Sequence, residues 1–135
     1  MLVVDASIAV ELSLDTVGGD ATSQLGGQEL IGPPLLWSEV SSVVSEMAYR
    51  GEISERLASA ALTRLTDGSL NIAERRPEGL ILEAWRLARE MGWAKTYDAE
   101  YLALARLLGC RVVTLDLRLR RGADRLGLVV TPAQL

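Results

Sequence analysis

Two short apolar runs near opposite ends of this chain each stop at an aspartate, and they restrict its fold more than any other feature. The first is Leu2-Val3-Val4, followed by Asp5; the second is Val112-Val113-Thr114-Leu115, followed by Asp116. Brief runs rich in β-branched residues, without polar alternation, read as strands buried on both faces, the pattern of a parallel sheet covered by helices. In such sheets the crevice outside the carboxyl ends of the strands is the usual site of chemistry, and both aspartates stand there. Asp5 taken alone reads equally well as the cap of the helix that follows, so its companions must decide.

The segments between the two runs alternate in kind. Ala6 to Leu14 reads as a short helix, and Asp15 to Gln28 as a broken helix or loop with turns at Gly18-Gly19 and Gly26-Gly27. Glu29 to Gly32 is a brief strand stopped by Pro33-Pro34. Helical spacing returns over Leu36 to Tyr49, with Val40, Val43, Val44 and Met47 on a stripe, and over Glu55 to Leu65 behind the N-cap Ser54. Leu70 to Ala73 is a strand candidate. Pro77 suits a helix start, and Leu80 to Met91 carries Ile81, Ala84, Trp85 and Ala88 at helical spacing, which places Trp85 in the core. Thr96 reads as the cap of a helix running through Leu108 to Gly109. A strand over Arg111 to Leu115, a basic helix over Leu117 to Leu126 and a last strand over Leu128 to Val130 follow. No repeat or linker divides residues 1–135, so one α/β domain is expected. Right-handed crossovers would lay its helices on both faces, a three-layer α/β/α arrangement around a mostly parallel sheet of about 4–5 strands.

Composition removes several kinds of chemistry. With no histidine and a single cysteine, Cys110, zinc sites and histidine-based triads are excluded, as is an internal disulfide; any metal would be held by oxygen. Cys110, next to a strand, reads as a small buried hydrophobe. The glycine pairs form no phosphate-binding fingerprint. No basic leader or bilayer-length apolar run is present, so a soluble cytoplasmic protein is expected. The net charge of −4 argues against a general nucleic-acid coat, but it is unevenly spread. Residues 1–49 hold seven acids and no base, whereas residues 101–135 hold six Arg and two Asp.

That charge map bears on the aspartates. Besides Asp5 and Asp116, Glu39 and Asp98 fall in what read as the first turns of helices after short connections. Each alone could simply favour a positive helix N-terminus. In a parallel sheet, however, all four would gather at one edge, where unpaired like charges repel and call for a cation. Oxygen-only ligation favours Mg²⁺ or Mn²⁺.

The order "VVDAS", "WSEVSSVV", "TYDAEYLALA" and "VVTLDLRL" resembles the PIN domain, and within it the VapC-type toxins of VapBC toxin–antitoxin pairs. The likeness extends over essentially the whole chain, and its third motif is the most specific. It implies a metal-dependent ribonuclease, usually dimeric, held inactive by a cognate VapB-like antitoxin and leaving a 5′-phosphate and a 3′-hydroxyl. Carried over, the acidic quartet is Asp5, Glu39, Asp98 and Asp116, with Ser7 and Thr114 as supporting hydroxyls. Ser42 stands where many members have Asn.

The chemistry expected is phosphodiester hydrolysis, with Asp5, Asp98 and Asp116 as metal ligands and Glu39 acting through a water. Ser7, Thr114 and Ser42 would orient the carboxylates and their surroundings. Arg118, Arg120 and Arg121, with Arg125, would contact RNA phosphates, or form a solvated face or meet an acidic partner. A haloacid-dehalogenase-like phosphatase fits less well, because it needs a second acid where Ser7 stands. A receiver domain needs an acidic pair and a late lysine, and the only lysine is Lys95. The non-enzymatic alternative is a catalytically weak dimer that binds antitoxin or RNA.

Overall fold

The two aspartate-terminated runs do form neighbouring strands. The structure, a computed structural model, describes residues 1–14 and 23–135; the expected Gly18-Gly19 turn lies outside the described residues. Strand β1 (Leu2–Val4) pairs in parallel with β4 (Arg111–Val113) on one side and with β2 (Leu30–Gly32) on the other. Strands β3 (Ile72–Glu74) and β5 (Val129–Val130) complete a five-stranded, wholly parallel sheet in the order β3-β2-β1-β4-β5. Leu2, Val3 and Val4 are all buried, as expected of a central strand covered on both faces.

Among the described residues the sheet is surrounded by helices α1 (Ala6–Leu14), α2 (Leu35–Tyr49), α3 (Glu55–Thr66), α4 (Leu80–Met91), α5 (Tyr97–Leu108) and α6 (Leu117–Ala123), the last continued by a 3₁₀ turn over Asp124–Leu126. From β1 the chain winds outward through β2 to β3, then returns to β4 and winds the other way to β5. Right-handed crossovers therefore put α1, α2 and α3 over one face and α4, α5 and α6 over the other. Packing agrees: the first three helices contact one another, α4 packs along α5, and α5 lies against β1 and β4. The reversal makes the gap between the carboxyl ends of β1 and β4 the switch point of the topology, the place where open α/β sheets bind ligands.

Helix α5 is the most enclosed of the helices. Ala99, Tyr101, Leu102, Ala103, Leu104 and Ala105 are all buried, and the small alanines admit both the sheet and α4 to close range. Gly109, at φ 66°, ends it in the left-handed conformation that glycine adopts without steric cost. Truncating Leu102 here would cost about 2–5 kcal/mol, the usual range for a buried leucine.

Several expectations fail for identifiable reasons. Trp85 is 53% exposed and Ile81 is exposed as well, because α4 turns its Leu80-Ala84-Leu87-Ala88 stripe inward. Both stripes have helical spacing, and only the small residues of α5 select between them. The outer tryptophan instead carries the Arg89 guanidinium 5.8 Å from its ring centroid. Asn71 adopts a positive φ of 51°, so β3 starts at Ile72 rather than Leu70. Thr96 makes no side-chain cap. Helix α4 begins at Leu80, with Gly79 at its N-cap, rather than at Pro77. Val43 is exposed, and Cys110 is only half-buried. The Gly26-Gly27 turn and the Ser54 cap, which accepts from the Leu57 amide at 3.1 Å, are as expected.

Candidate active site

At the switch point the polarity changes within one residue. Val4 is fully buried in the core, and Asp5, next along, is a buried carboxylate. Its Oδ1 accepts hydrogen bonds from the Ser7 hydroxyl at 2.6 Å and the Ile8 amide at 3.1 Å, and its Oδ2 accepts one from the Thr114 hydroxyl. Asp5 is therefore both the cap of α1 and a site residue. A carboxylate offers about four acceptor positions, so roughly one stays free, on Oδ2.

The same hydroxyls bind the two strand ends together. Ser7 Oγ accepts from the Leu115 amide at 2.9 Å, and Thr114 Oγ1 accepts from the Asp116 amide at 2.9 Å. Each hydroxyl thus spends its one proton on Asp5 and its lone pairs on the backbone of the β4 exit. Asp116 caps α6, accepting from the amides of Arg118 at 2.7 Å and Leu119 at 3.4 Å. Among the described residues no buried side-chain nitrogen or oxygen lacks a partner.

The other two acids arrive from helices. Asp98 lies in the first turn of α5, at the exposed rim. Glu39 is the fifth residue of α2, one position deeper than expected and just past the first turn, because the helix starts at Leu35 directly after the proline pair. There the Tyr101 hydroxyl donates to Glu39 Oε2. Asp5, Ser7, Glu39, Ser42, Asp98, Asp116 and Arg118 line one cleft of about 470 Å³, joined by Ala6, Val10, Val43 and Tyr101. Thr114 lies behind Asp5, fully buried.

The electrostatics are those of acids sharing a site without enough positive charge. Burial raises the Asp5 carboxyl pKa above its ordinary value; its hydrogen bonds oppose this and the Asp116 charge adds to it. Glu39 is raised by desolvation and by Asp98 and Asp5, against the Tyr101 hydrogen bond. Asp98 is raised by desolvation and by Asp116, with Arg118 the opposing charge. Burial, then the bond to Glu39, keeps the Tyr101 phenol far above its usual range, so it remains a donor. Among the described residues Arg118 is the base that reaches the cleft; it stands 3.7 Å from Asp116 and its side chain is 93% exposed. Among the described residues no three acids stand close enough to enclose one bare ion as their side chains lie.

Part of the expected basic cluster lies elsewhere. Arg120 and Arg121, farther along α6, do not line the cleft. Arg125 donates from one guanidinium nitrogen to the Glu90 carbonyl at 2.6 Å and contacts Met91 Sδ, so it fastens the 3₁₀ turn after α6 to the end of α4. Tyr101 is the residue that reading for acids missed. Its place three residues after Asp98 on one helix face was the available signal.

The chain is similar to known proteins in sequence and in fold. The family model described as PIN domain matches residues 2–125. A VapC ribonuclease of Mycobacterium bovis and the ribonuclease VapC9 of Mycobacterium tuberculosis are each 34% identical over 119 residues, covering 88% of this chain and 88% of theirs. Among solved structures, PAE2754 of Pyrobaculum aerophilum superposes with a TM-score of 0.71 at 24% identity, over 98% of this chain and 84% of that one. A toxin–antitoxin complex from Klebsiella pneumoniae gives 0.65 at 19% identity, over 98% of both chains. At those identities the two structures speak for the fold.

Proposed function

Because the chain belongs to the PIN-domain family, we propose that it is an endoribonuclease, the toxin component of a toxin–antitoxin pair, acting as one domain over residues 1–135. The observation that carries this reading is the meeting of four acids from four separate elements in one cleft at the switch point. A catalytically weak binding module has no use for such a quartet. A second acid two residues after Asp5 is lacking as well, since Ser7 there donates to Asp5.

The donor set fits a divalent cation. It is all oxygen, and three of its four carboxyls are raised by burial and by one another. An all-oxygen set of this kind suits Mg²⁺, which keeps several waters and takes few carboxylates directly, or Mn²⁺. Asp5, Asp98 and Asp116 would hold it. When bound, the cation lowers the pKa of water and offsets charge on the phosphate oxygens. Glu39, with its raised proton affinity, would accept the proton of the attacking water. Ser7 and Thr114 fix the direction of Asp5, Ser42 lies at the cleft wall, and Arg118 would contact a phosphate of the RNA. Arg120 and Arg121 would serve RNA only beyond the cleft.

The test is cleavage of a mixed pool of structured RNAs by the purified chain with Mg²⁺ or Mn²⁺. Fragments with 5′-phosphate and 3′-hydroxyl ends are expected, and EDTA or Asp5→Asn should abolish them. Cleavage surviving both would refute the metal site. The antitoxin reading predicts co-purification of a small VapB-like partner from the native host, and the homodimer reading a doubled mass in light scattering. No helix among the described residues is long and apolar enough to cross a membrane; the cytoplasmic assignment is tested by cell fractionation.

A further inference from the structure

We infer that Tyr101 is a positioning residue for the reaction: its hydroxyl holds Glu39 so that one carboxylate oxygen is fixed and the other faces the cleft. The inference rests on the ribonuclease reading and deepens it. Glutamate has three rotatable bonds, and Glu39, half-buried at the cleft wall, forms no other hydrogen bond among the described residues. Left to itself such a side chain would sample several rotamers and carry its carboxylate in and out of the site. The Tyr101 hydroxyl removes that freedom. It donates to Oε2 and leaves Oε1 to whatever occupies the cleft.

The clamp is rigid because its base is rigid. Tyr101 is 1% exposed and belongs to α5, the helix enclosed by the sheet and α4. Asp98 lies three residues earlier on the same helix, and both residues line the cleft. One rigid element therefore places Asp98 directly and Glu39 at second hand, so the two acids keep a common frame although they come from different helices. Groups held this way by packed partners are what pre-organised sites require.

The bland reading is that Tyr101 is core and Glu39 merely satisfies its hydroxyl. A buried phenylalanine would fill the same space without a hydroxyl to satisfy, so the two readings part at Tyr101→Phe. The purified full-length chain, its Tyr101→Phe and Glu39→Gln variants and the double variant would be assayed with Mn²⁺ on an RNA from the mixed pool that the wild type cleaves. Tyr101→Phe should lower kcat about tenfold to a hundredfold at unchanged KM. In the Glu39→Gln background the same change should cost nothing further, since the residue it serves is already gone. Equal activity of Tyr101→Phe and wild type would overturn the inference, and so would a full additional loss in the double variant. Should Tyr101→Phe fail to fold, Glu39→Asp keeps the ring in place and draws the carboxylate away from the phenol. It should show the same kcat loss at unchanged KM, and full activity there would overturn the clamp. A wild-type chain that cleaves no RNA refutes the ribonuclease reading and this inference with it; a cleaving wild type matched by Tyr101→Phe refutes only the inference.

Discussion

The two ends of the same three-residue strand differ sharply. At the amino end of β1, Met1, Leu2, Gln28, Gly109, Cys110, Arg111 and Leu135 border a hollow without a carboxylate side chain, and Arg111 is exposed. At the carboxyl end, about 10 Å away at the usual rise per residue, four acids line a cleft and a buried aspartate accepts three hydrogen bonds. Both ends adjoin the same core. The difference lies in direction: parallel strands send every carboxyl end, with the helix start that follows it, to one edge. A parallel sheet thus concentrates whatever its strand exits carry, and here they carry negative charge.

The contrast can be tested from both sides. The largest effect expected is at the carboxyl edge, where Asp98→Ala or Asp116→Ala should lower RNA cleavage by about a hundredfold to a thousandfold. Arg111→Ala at the opposite edge should leave the rate within about twofold; a comparable loss there would erase the distinction. Next comes Thr114→Val, which keeps the shape but removes a proton donated to buried Asp5. Activity should fall about tenfold to a hundredfold, and urea denaturation should show a loss of about 1–3 kcal/mol.

Smaller effects concern charge alone. Millimolar Mn²⁺ should raise the Tm of the wild type by a few degrees and that of Asp98→Ala by less, because a ligand stabilises the state that binds it. Smallest is Asp98→Asn in metal-free buffer. The Asp98 carboxyl is raised above its ordinary value of 3.8, so the folded state holds that proton more tightly than the unfolded chain does. Its ionisation therefore costs stability as pH rises through the folded pKa, and the cost disappears below 3.8. The variant should melt on the order of 1–2 °C higher at neutral pH, discounted for the exposed rim position, with the gain closing as the solution is acidified.

Much of this was legible in the residues because the signals were local. The β-branched runs, their aspartates and the Ser54 cap need no knowledge of distant partners. What escaped depends on contacts far apart in the chain. Trp85 could not be assigned outward until the small residues of α5 selected the other stripe of α4. Tyr101 sits among apolar helix residues and is indeed core, but the target of its hydroxyl lies 62 positions earlier. Arg125 looked like a member of a phosphate-binding row, and only the folded chain brings it to the Glu90 carbonyl. The β3 offset comes from one asparagine in an uncommon backbone conformation.

The pairing of β1 with β4 has a consequence for synthesis. Asp5 is made well before Thr114, whose hydroxyl holds its Oδ2 from 109 positions later in the chain. Until β4 has left the ribosome, β1 lacks the neighbour that completes its carboxyl edge, whatever helices have already formed behind it. The growing chain therefore carries three of its acids before it has an assembled site, and the capacity to cut RNA arrives abruptly, only once β4 has been made and paired.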